Sequence, residues 1–394
     1  MIAFSQNPTD DAFVQNPYPF YDRARREGPF FCWTDYNLVC TASAAAVNAI
    51  LRDRRFGREA PAEYAPSHPE RLAPFYAVEA HSMLELEPPR HTRLRSLVLR
   101  AFTSRRIAAL TPEIEALSHD LVDRLPADRF DLLKSFAQPL PVIIIARLLG
   151  VPESMAPDLL RWSNAMVKMY MAGRTRAMED AAITATQDFV AFMRGYVDAR
   201  RNDPRDDLIT HLIQAEMDGD RLTIDELITT CILLLNAGHE ATVHTIGNGV
   251  KTLLESGHVG HALHPDRIDT TVEEILRHDP PLHLFTRWAY EDVEVMGHGF
   301  RRGDQVGLLL GAANRDPDAW DAPHRFDPDR PLRPNVSFGA GIHFCVGAPL
   351  ARLELRTALP ILFGRLPNLR LAERPRFADV YHFHGLESLW VSHD

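Results

Sequence analysis

The stretch FGAGIHFCVG, from Phe338 to Gly347, sets one cysteine among glycines just ahead of a helix-like run, VGAPLARLELRTALPILFGRL. The chain has only four cysteines, and Cys32, Cys40 and Cys231 lie far from Cys345 in sequence. No two of them show the CxxC spacing of a zinc or redox site. Gly339 and Gly341 can take positive φ, so the chain can turn tightly. Gly347 removes a side chain where the helix begins, which leaves Cys345 at or just before the helix N-terminus. Free N–H groups and the helix dipole favour a thiolate there. The plain alternative is an inert cysteine buried in a glycine-rich helix entry. A lone thiolate in a loop open to a flat ligand, with Phe338 beneath it, suits a single-cysteine metal ligand. Haem iron is the first candidate.

Other residues have spacings that bear on such a site. Glu274 and Arg277 in EEILRHDPP stand at i,i+3, on one face of a helix. His91 and Arg95 in EPPRHTRLRSLV stand at i,i+4, again on one face. Buried propionates need such cations and hydrogen-bond donors. Taken singly, each of these is an ordinary solvated side chain. NAGHEAT, Asn236 to Thr242, falls inside a long helical run. A mid-helix glycine costs about 1 kcal/mol against alanine and needs a reason. Ala237 and Gly238 offer the smallest surface a helix can present, so a ligand could approach it closely there.

The pattern F-G-x-G-x-H-x-C-x-G followed by APLAR resembles the haem-binding loop of the cytochromes P450. It matches at Phe338, Gly339, Gly341, His343, Cys345 and Gly347, and again at Leu350, Ala351 and Arg352. The resemblance runs from about residue 15 to the C-terminus, of the soluble bacterial type. It implies one cytochrome P450 domain over 1–394 and haem b (iron protoporphyrin IX) as cofactor. Cys345 would be the iron ligand. His91, Arg95, Arg287 and His343 would hold the propionates. Glu274 and Arg277 would be joined by the arginine of a later P-x-R-F segment, here Pro323, Arg325 and Phe326. Ala237, Gly238 and Glu240 match the family's A-G-x-E/D segment. The family usually follows the acid with threonine, whose hydroxyl orders water for proton delivery. Here Ala241 stands in that place and Thr242 comes one residue later, about 100° around the helix. A substrate hydroxyl, a water held by Glu240, or the use of peroxide could fill the gap.

The elements that must position these residues read as mainly α with a small β component. Helical periodicity dominates from about residue 90 to 280. The run Thr223 to Leu254 opens on LTIDEL, where Thr223 and Glu226 form a capping box. This is the long central helix expected over the haem. Strand-like alternation is confined to FFCWTDYNLVCTA, EDVEVMGHGFRRGDQVGLLLG and GLESLWVS. Ala60 to Pro74 reads as an irregular, proline-rich loop of the kind that lines a site. By resemblance the substrate pocket draws on Ala60–Leu84, Trp162–Arg174, Leu233–Ala241, Leu282–Phe285 and the segment near Leu386.

Composition narrows the class. The chain has 394 residues, 45% hydrophobic and 24% charged, ordinary for a globular protein. Net charge is −10, which excludes nucleic acid as a general partner. The N-terminal MIAFSQNPTDDAF reads as neither signal peptide nor anchor, and the apolar runs LPVIIIARLLGVP and TTCILLLNAG are too short to span a bilayer. The reading is a cytoplasmic protein with no membrane partner. Arg90, Arg93, Arg95, Arg100, Arg105 and Arg106 crowd into seventeen residues, a local basic patch on an acidic protein. With Arg352 and Arg356 it is expected to dock an acidic [2Fe-2S] ferredoxin, fed by a reductase. The substrate is expected to be a small apolar or amphipathic molecule, hydroxylated or epoxidised. A peroxygenase, a coupling or isomerising haem-thiolate enzyme, and a non-catalytic haem module are the alternatives. HEATVH puts His239 and His244 five apart, one more than the zincin spacing of four. His258, His261 and His264 read as an exposed helix surface.

Overall fold

The computed structural model describes residues 1–217 and 219–393. Helices take 53% of the chain and the strands gather into small sheets, so the mainly α reading is correct. The helices that build the site are α1 (Arg90–Ala101), α2 (Thr111–Asp123), α3 (Pro139–Leu149), α4 (Ala156–Val167), α5 (Arg176–Asn202), α6 (Ile224–Ser256), α7 (Ile268–His278) and α8 (Ala348–Arg365). Among the described residues, no helix is long and apolar enough to cross a membrane.

The axis of the molecule is α6. Its first turn is closed as the sequence indicates: Thr223 accepts from the Glu226 N–H at 3.2 Å, and the Glu226 carboxylate accepts from the Thr223 N–H at 2.9 Å. The helix stops at Gly257, whose φ of 70° ends the α conformation without a Cβ penalty. Thirty-three residues make a rod of about 50 Å. Helices α3, α4, α5, α7 and α8 all pack against it. Its glycines permit the closest of these contacts. A Cβ on Gly249 would lie 3.0 Å from Ile275 of α7.

The main sheet holds β1 (Ala3–Phe4), β2 (Phe31–Trp33), β3 (Leu38–Thr41), β4 (Phe56–Gly57), β5 (Leu284–Ala289) and β6 (Gln305–Leu309), in the order β1-β2-β3-β6-β5-β4. The early and late strand segments of the sequence thus share one sheet, joined where β6 runs parallel to β3. The antiparallel β5/β6 pair sets Arg287 opposite Val306 and Phe285 opposite Leu308. One expectation needs correction. Ala60–Leu84 is not simply a loop. Two short 3₁₀ turns, Ala62–Tyr64 and Glu70–Leu72, lead into a helix at Ala73–Glu79. Each turn follows a proline, and the helix buries Phe75 and Val78.

Candidate active site

The cysteine loop is set between β6, α7 and α8 by its own backbone. The Cys345 N–H donates to the Phe338 carbonyl at 3.0 Å, closing the turn. Gly339 and Gly341 take φ of 67° and 69°. A Cβ on Gly341 would also stand 2.2 Å from the Leu51 carbonyl, so this position admits no other residue. Asn314 fastens the loop's entry, donating to the Ser337 hydroxyl at 2.8 Å and accepting from the Val336 N–H at 2.9 Å. Ser337 in turn donates to the Leu276 carbonyl of α7 at 2.7 Å. Gly347 is the N-cap of α8, and the N–H groups of Gly347 and Ala348 point at the sulfur. Burial pushes the Cys345 thiol above its ordinary range, while those N–H groups and the charges of Arg95 and Arg352 pull it down. Burial wins, so the helix dipole alone does not give a thiolate. A bound cation would complete the balance.

The four expected propionate partners fall into two kinds. Arg287 is 2% exposed, yet among the described residues its side chain hydrogen-bonds only to the Thr286 carbonyl, at 2.8 Å. Burial, with nearby Arg58, lowers its pKa to about 9. His91 is equally buried, and both its ring nitrogens lack a hydrogen-bond partner. Arg95 and His343 are already engaged. Arg95 donates to the Phe344 carbonyl at 2.7 Å, and His343 Nε2 lies 2.7 Å from Glu87 Oε1. The His91 and His343 rings sit 4.3 Å apart. The structure therefore gathers these residues around Glu87, a carboxylate the sequence reading missed. Its only sequence signal is its place just before the Pro-Pro that leads into α1.

Beneath the loop, Glu274 and Arg277 form a bidentate pair with both contacts at 2.7 Å, exposed by 3% and 1%. This is a buried pair, not the weak surface pair its spacing also allows. The third member is a correction. Arg325 points outward and pairs with Asp327. Arg330 takes the expected place, its Nε 3.1 and 3.2 Å from the two Glu274 oxygens. The Pro323–Phe326 segment contributes backbone instead: the carbonyls of Pro323 and Arg325 accept from Arg277.

The accessible stripe on α6 runs Leu233, Ala237, Ala241, at intervals of four. Ala237 is exposed in the middle of a helix most of whose residues are buried. A Cβ on Gly238 would meet only Ile145, at 3.8 Å. Packing does not demand that glycine, so the space it opens is free of protein. Thr242 turns away, donating to the Gly238 carbonyl of its own helix at 2.8 Å. Glu240 lies 3.3 Å from His244 Nε2 and 3.7 Å from His239 Nδ1. Burial works against its charge. The hydrogen bond and charge of His244, then His239 and Lys168, overcome this and hold its pKa low. The histidines that mimic a zinc motif therefore flank a carboxylate. His244 reaches it because Gly385 has no side chain, since a Cβ there would sit 1.9 Å from His244 Nδ1. His258, His261 and His264 are exposed, with His261 paired to Asp329 at 2.9 Å.

These features fit a haem. A thiol has N–H groups aimed at it, a buried guanidinium makes no ion pair within 4 Å among the described residues, a buried imidazole has two idle nitrogens, and the long helix faces space rather than side chains. The family model described as cytochrome P450 matches residues 25–266 and 268–366. A biotin biosynthesis cytochrome P450 of Bacillus subtilis is 35% identical over 400 residues, covering 99% of this chain and all of the relative. The cytochrome P450 monooxygenase PikC of Streptomyces venezuelae is 38% identical over 379 residues, covering 92% and 87%. The structure of P450BioI in complex with an acyl carrier protein ligated to hexadec-9Z-enoic acid superposes with a TM-score of 0.92 at 34% identity, covering 97% of this chain and all of that one. Because that match contains the very loop its cysteine singles out, this chain belongs to the cytochrome P450 family and is a haem-dependent monooxygenase.

Proposed function

We propose that this protein inserts one atom of O₂ into a small apolar or amphipathic organic substrate, by hydroxylation or epoxidation, as a single domain in the cytoplasm. Its electrons would come from a [2Fe-2S] ferredoxin and its reductase. The second oxygen atom leaves as water, which consumes two electrons and two protons per turnover. The observation that carries the reading is Cys345, held in a closed glycine turn with backbone N–H groups on its sulfur. Bound haem supplies the oxidising chemistry, and Cys345 supplies its thiolate ligand. Arg287 and His91 meet the propionates, with Arg95 and His343 at the same edge. The four cysteines are all unpaired in the structure, in keeping with a reducing compartment.

Glu240 stays ionised through its contact with His244, so it can accept a hydrogen bond from a distal water and orient it for proton delivery. With alanine at 241 and the Thr242 hydroxyl tied to its helix, that water is held by Glu240 or by a substrate hydroxyl. Around the cysteine loop, Leu99 and Phe344 are exposed apolar residues, 46% and 38%. Among the described residues, Arg100 and Arg105 make no ion pair. They form the core of the docking face for an acidic ferredoxin. Arg93, Arg352 and Arg356 contribute less, being engaged with Glu226, Glu273 and Asp269.

The same missing hydroxyl favours one second reading, a peroxygenase. Two measurements on the purified protein decide between them. The reduced, carbonyl-treated protein shows the red-shifted Soret band of a thiolate ligand, and Cys345→Ser removes it. Substrate oxidation driven by ferredoxin and reductase exceeds that driven by peroxide. Peroxide turnover without reductase turnover would replace the monooxygenase with a peroxygenase.

A further inference from the structure

Between the Ala73–Glu79 helix and β5 lies a cluster of ionisable groups that the proposed oxygen chemistry does not use. Glu79 ends the Ala73–Glu79 helix, and the Tyr170 hydroxyl donates to its Oε2 at 2.7 Å. Arg58 pairs with Glu85. The Arg58 guanidinium also lies over the Phe285 ring, 5.8 Å from its centre. That ring reaches 3.5 Å from where a Cβ on Gly339 would stand, so the cluster continues down to the cysteine loop. On its other side, the Val78 carbonyl accepts from Thr229 of α6 at 3.4 Å. Thr229 lies eight residues before Ala237, about 12 Å along the helix. The cluster therefore sits between α6 and β5, a molecule's length from the accessible stripe.

Its charges do not balance. Two carboxylates, Glu79 and Glu85, share one guanidinium, and Arg58 gives its charge to Glu85. Arg287, the next cation, faces Glu85 and Glu87 and is the propionate candidate. Glu79 is left with a phenol. Burial, then the charge of Glu85, raises its pKa to about 7. Tyr170 is pushed well above its ordinary value by burial and these carboxylates, so it stays neutral, and Arg58 stays charged. A half-buried carboxyl with no ion pair of its own and a second carboxylate beside it is costly to ionise. An anionic ligand would add a charge of the wrong sign beside two carboxylates. An apolar end would leave the cost in place.

We propose that Glu79, with Tyr170 and Glu85, is a head-group site for substrates that carry a protonated or quaternary amine about 10 Å from the carbon that is oxidised. This rests on the haem-thiolate reading and narrows its substrate class. The amine supplies the missing positive charge, and its apolar remainder lies along Phe285 and Leu233 toward Ala237.

Decyltrimethylammonium, decanoate and 1-decanol test the site on the haem-loaded protein. The quaternary nitrogen has no lone pair and does not ligate iron, so a spin shift reads occupancy alone. Calorimetry reads binding independently of haem. The ammonium probe binds at least about tenfold tighter than decanoate at pH 8. Its affinity falls between pH 8 and pH 6, as Glu79 takes up a proton, while that of decanol does not change. Glu79→Gln removes the preference and the pH dependence together. Equal or tighter binding of decanoate, or a cation affinity that Glu79→Gln leaves intact, overturns the proposal. If that variant does not fold, the pH profile of the native protein decides. The reduced carbonyl spectrum of the same sample separates the two readings. A thiolate spectrum with no cation preference sinks the head-group site alone. An abnormal spectrum with Glu79-dependent cation binding sinks the haem-thiolate reading and leaves the head-group site standing.

Discussion

The two sides of the cysteine loop are finished to different degrees. On the α7 side, Arg277 spends its donors on Glu274 and on the carbonyls of Asn314, Pro323 and Arg325, and Arg330 adds to Glu274. On the α6 side, both ring nitrogens of His91 lack a hydrogen-bond partner, and Arg287 has one backbone carbonyl. Burying polar groups without partners costs free energy. A folded chain tolerates this where a ligand supplies the partner. The first region holds the fold, and the second is where the proposed haem and substrate would supply the missing partners.

Breaking the finished side gives the largest effect. Arg277→Leu leaves the Glu274 carboxylate buried with one remaining cation, at a cost of about 3–5 kcal/mol, read by chemical denaturation. Within the same network, Arg330→Ala costs about 1.5–3 kcal/mol. Arg325→Ala stays within about 0.5 kcal/mol, because its side chain is at the surface. Equal losses from the two would return Arg325 to the network. On the unfinished side the fold tolerates change and the ligand does not. Arg287→Leu keeps the denaturation midpoint of the haem-free protein but weakens haem retention by about 10–100-fold, measured as transfer to a haem scavenger. Haem retention unchanged by this variant would mean that Arg287 meets no propionate. The smallest effect is at Ala241. Ala241→Thr changes the coupling of reductant consumption to product by less than about twofold if Glu240 and water already deliver protons. A large gain would show that nothing else fills the place of the missing hydroxyl.

Local chemistry was legible where it occupies consecutive residues. The loop around Cys345 is one continuous segment, and its glycines take the positive φ their type allows. The capping box of α6 and the mid-helix glycine were readable for the same reason. The sequence also showed that Thr242 is misplaced for a hydroxyl at 241, and the structure turns it to its own backbone. The helix dipole by itself does not make Cys345 a thiolate, because the cost of burial depends on what surrounds the sulfur. The motif points to Arg325 and says nothing of Arg330, because it gives spacing but not the path of the chain after Phe326. That path turns Arg330 inward to Glu274.

Sequence alone determined the family, the glycine turn around Cys345 and the long central helix, since each is written in short-range spacing and in the conformations single residue types permit. Tertiary structure decided which charges meet. Glu87 reaches His343 across 256 positions, Tyr170 reaches Glu79 across 91, and Gly385 makes room for His244. Electrostatic balance and burial are properties of neighbours in space, and residues so far apart become neighbours only when the chain packs.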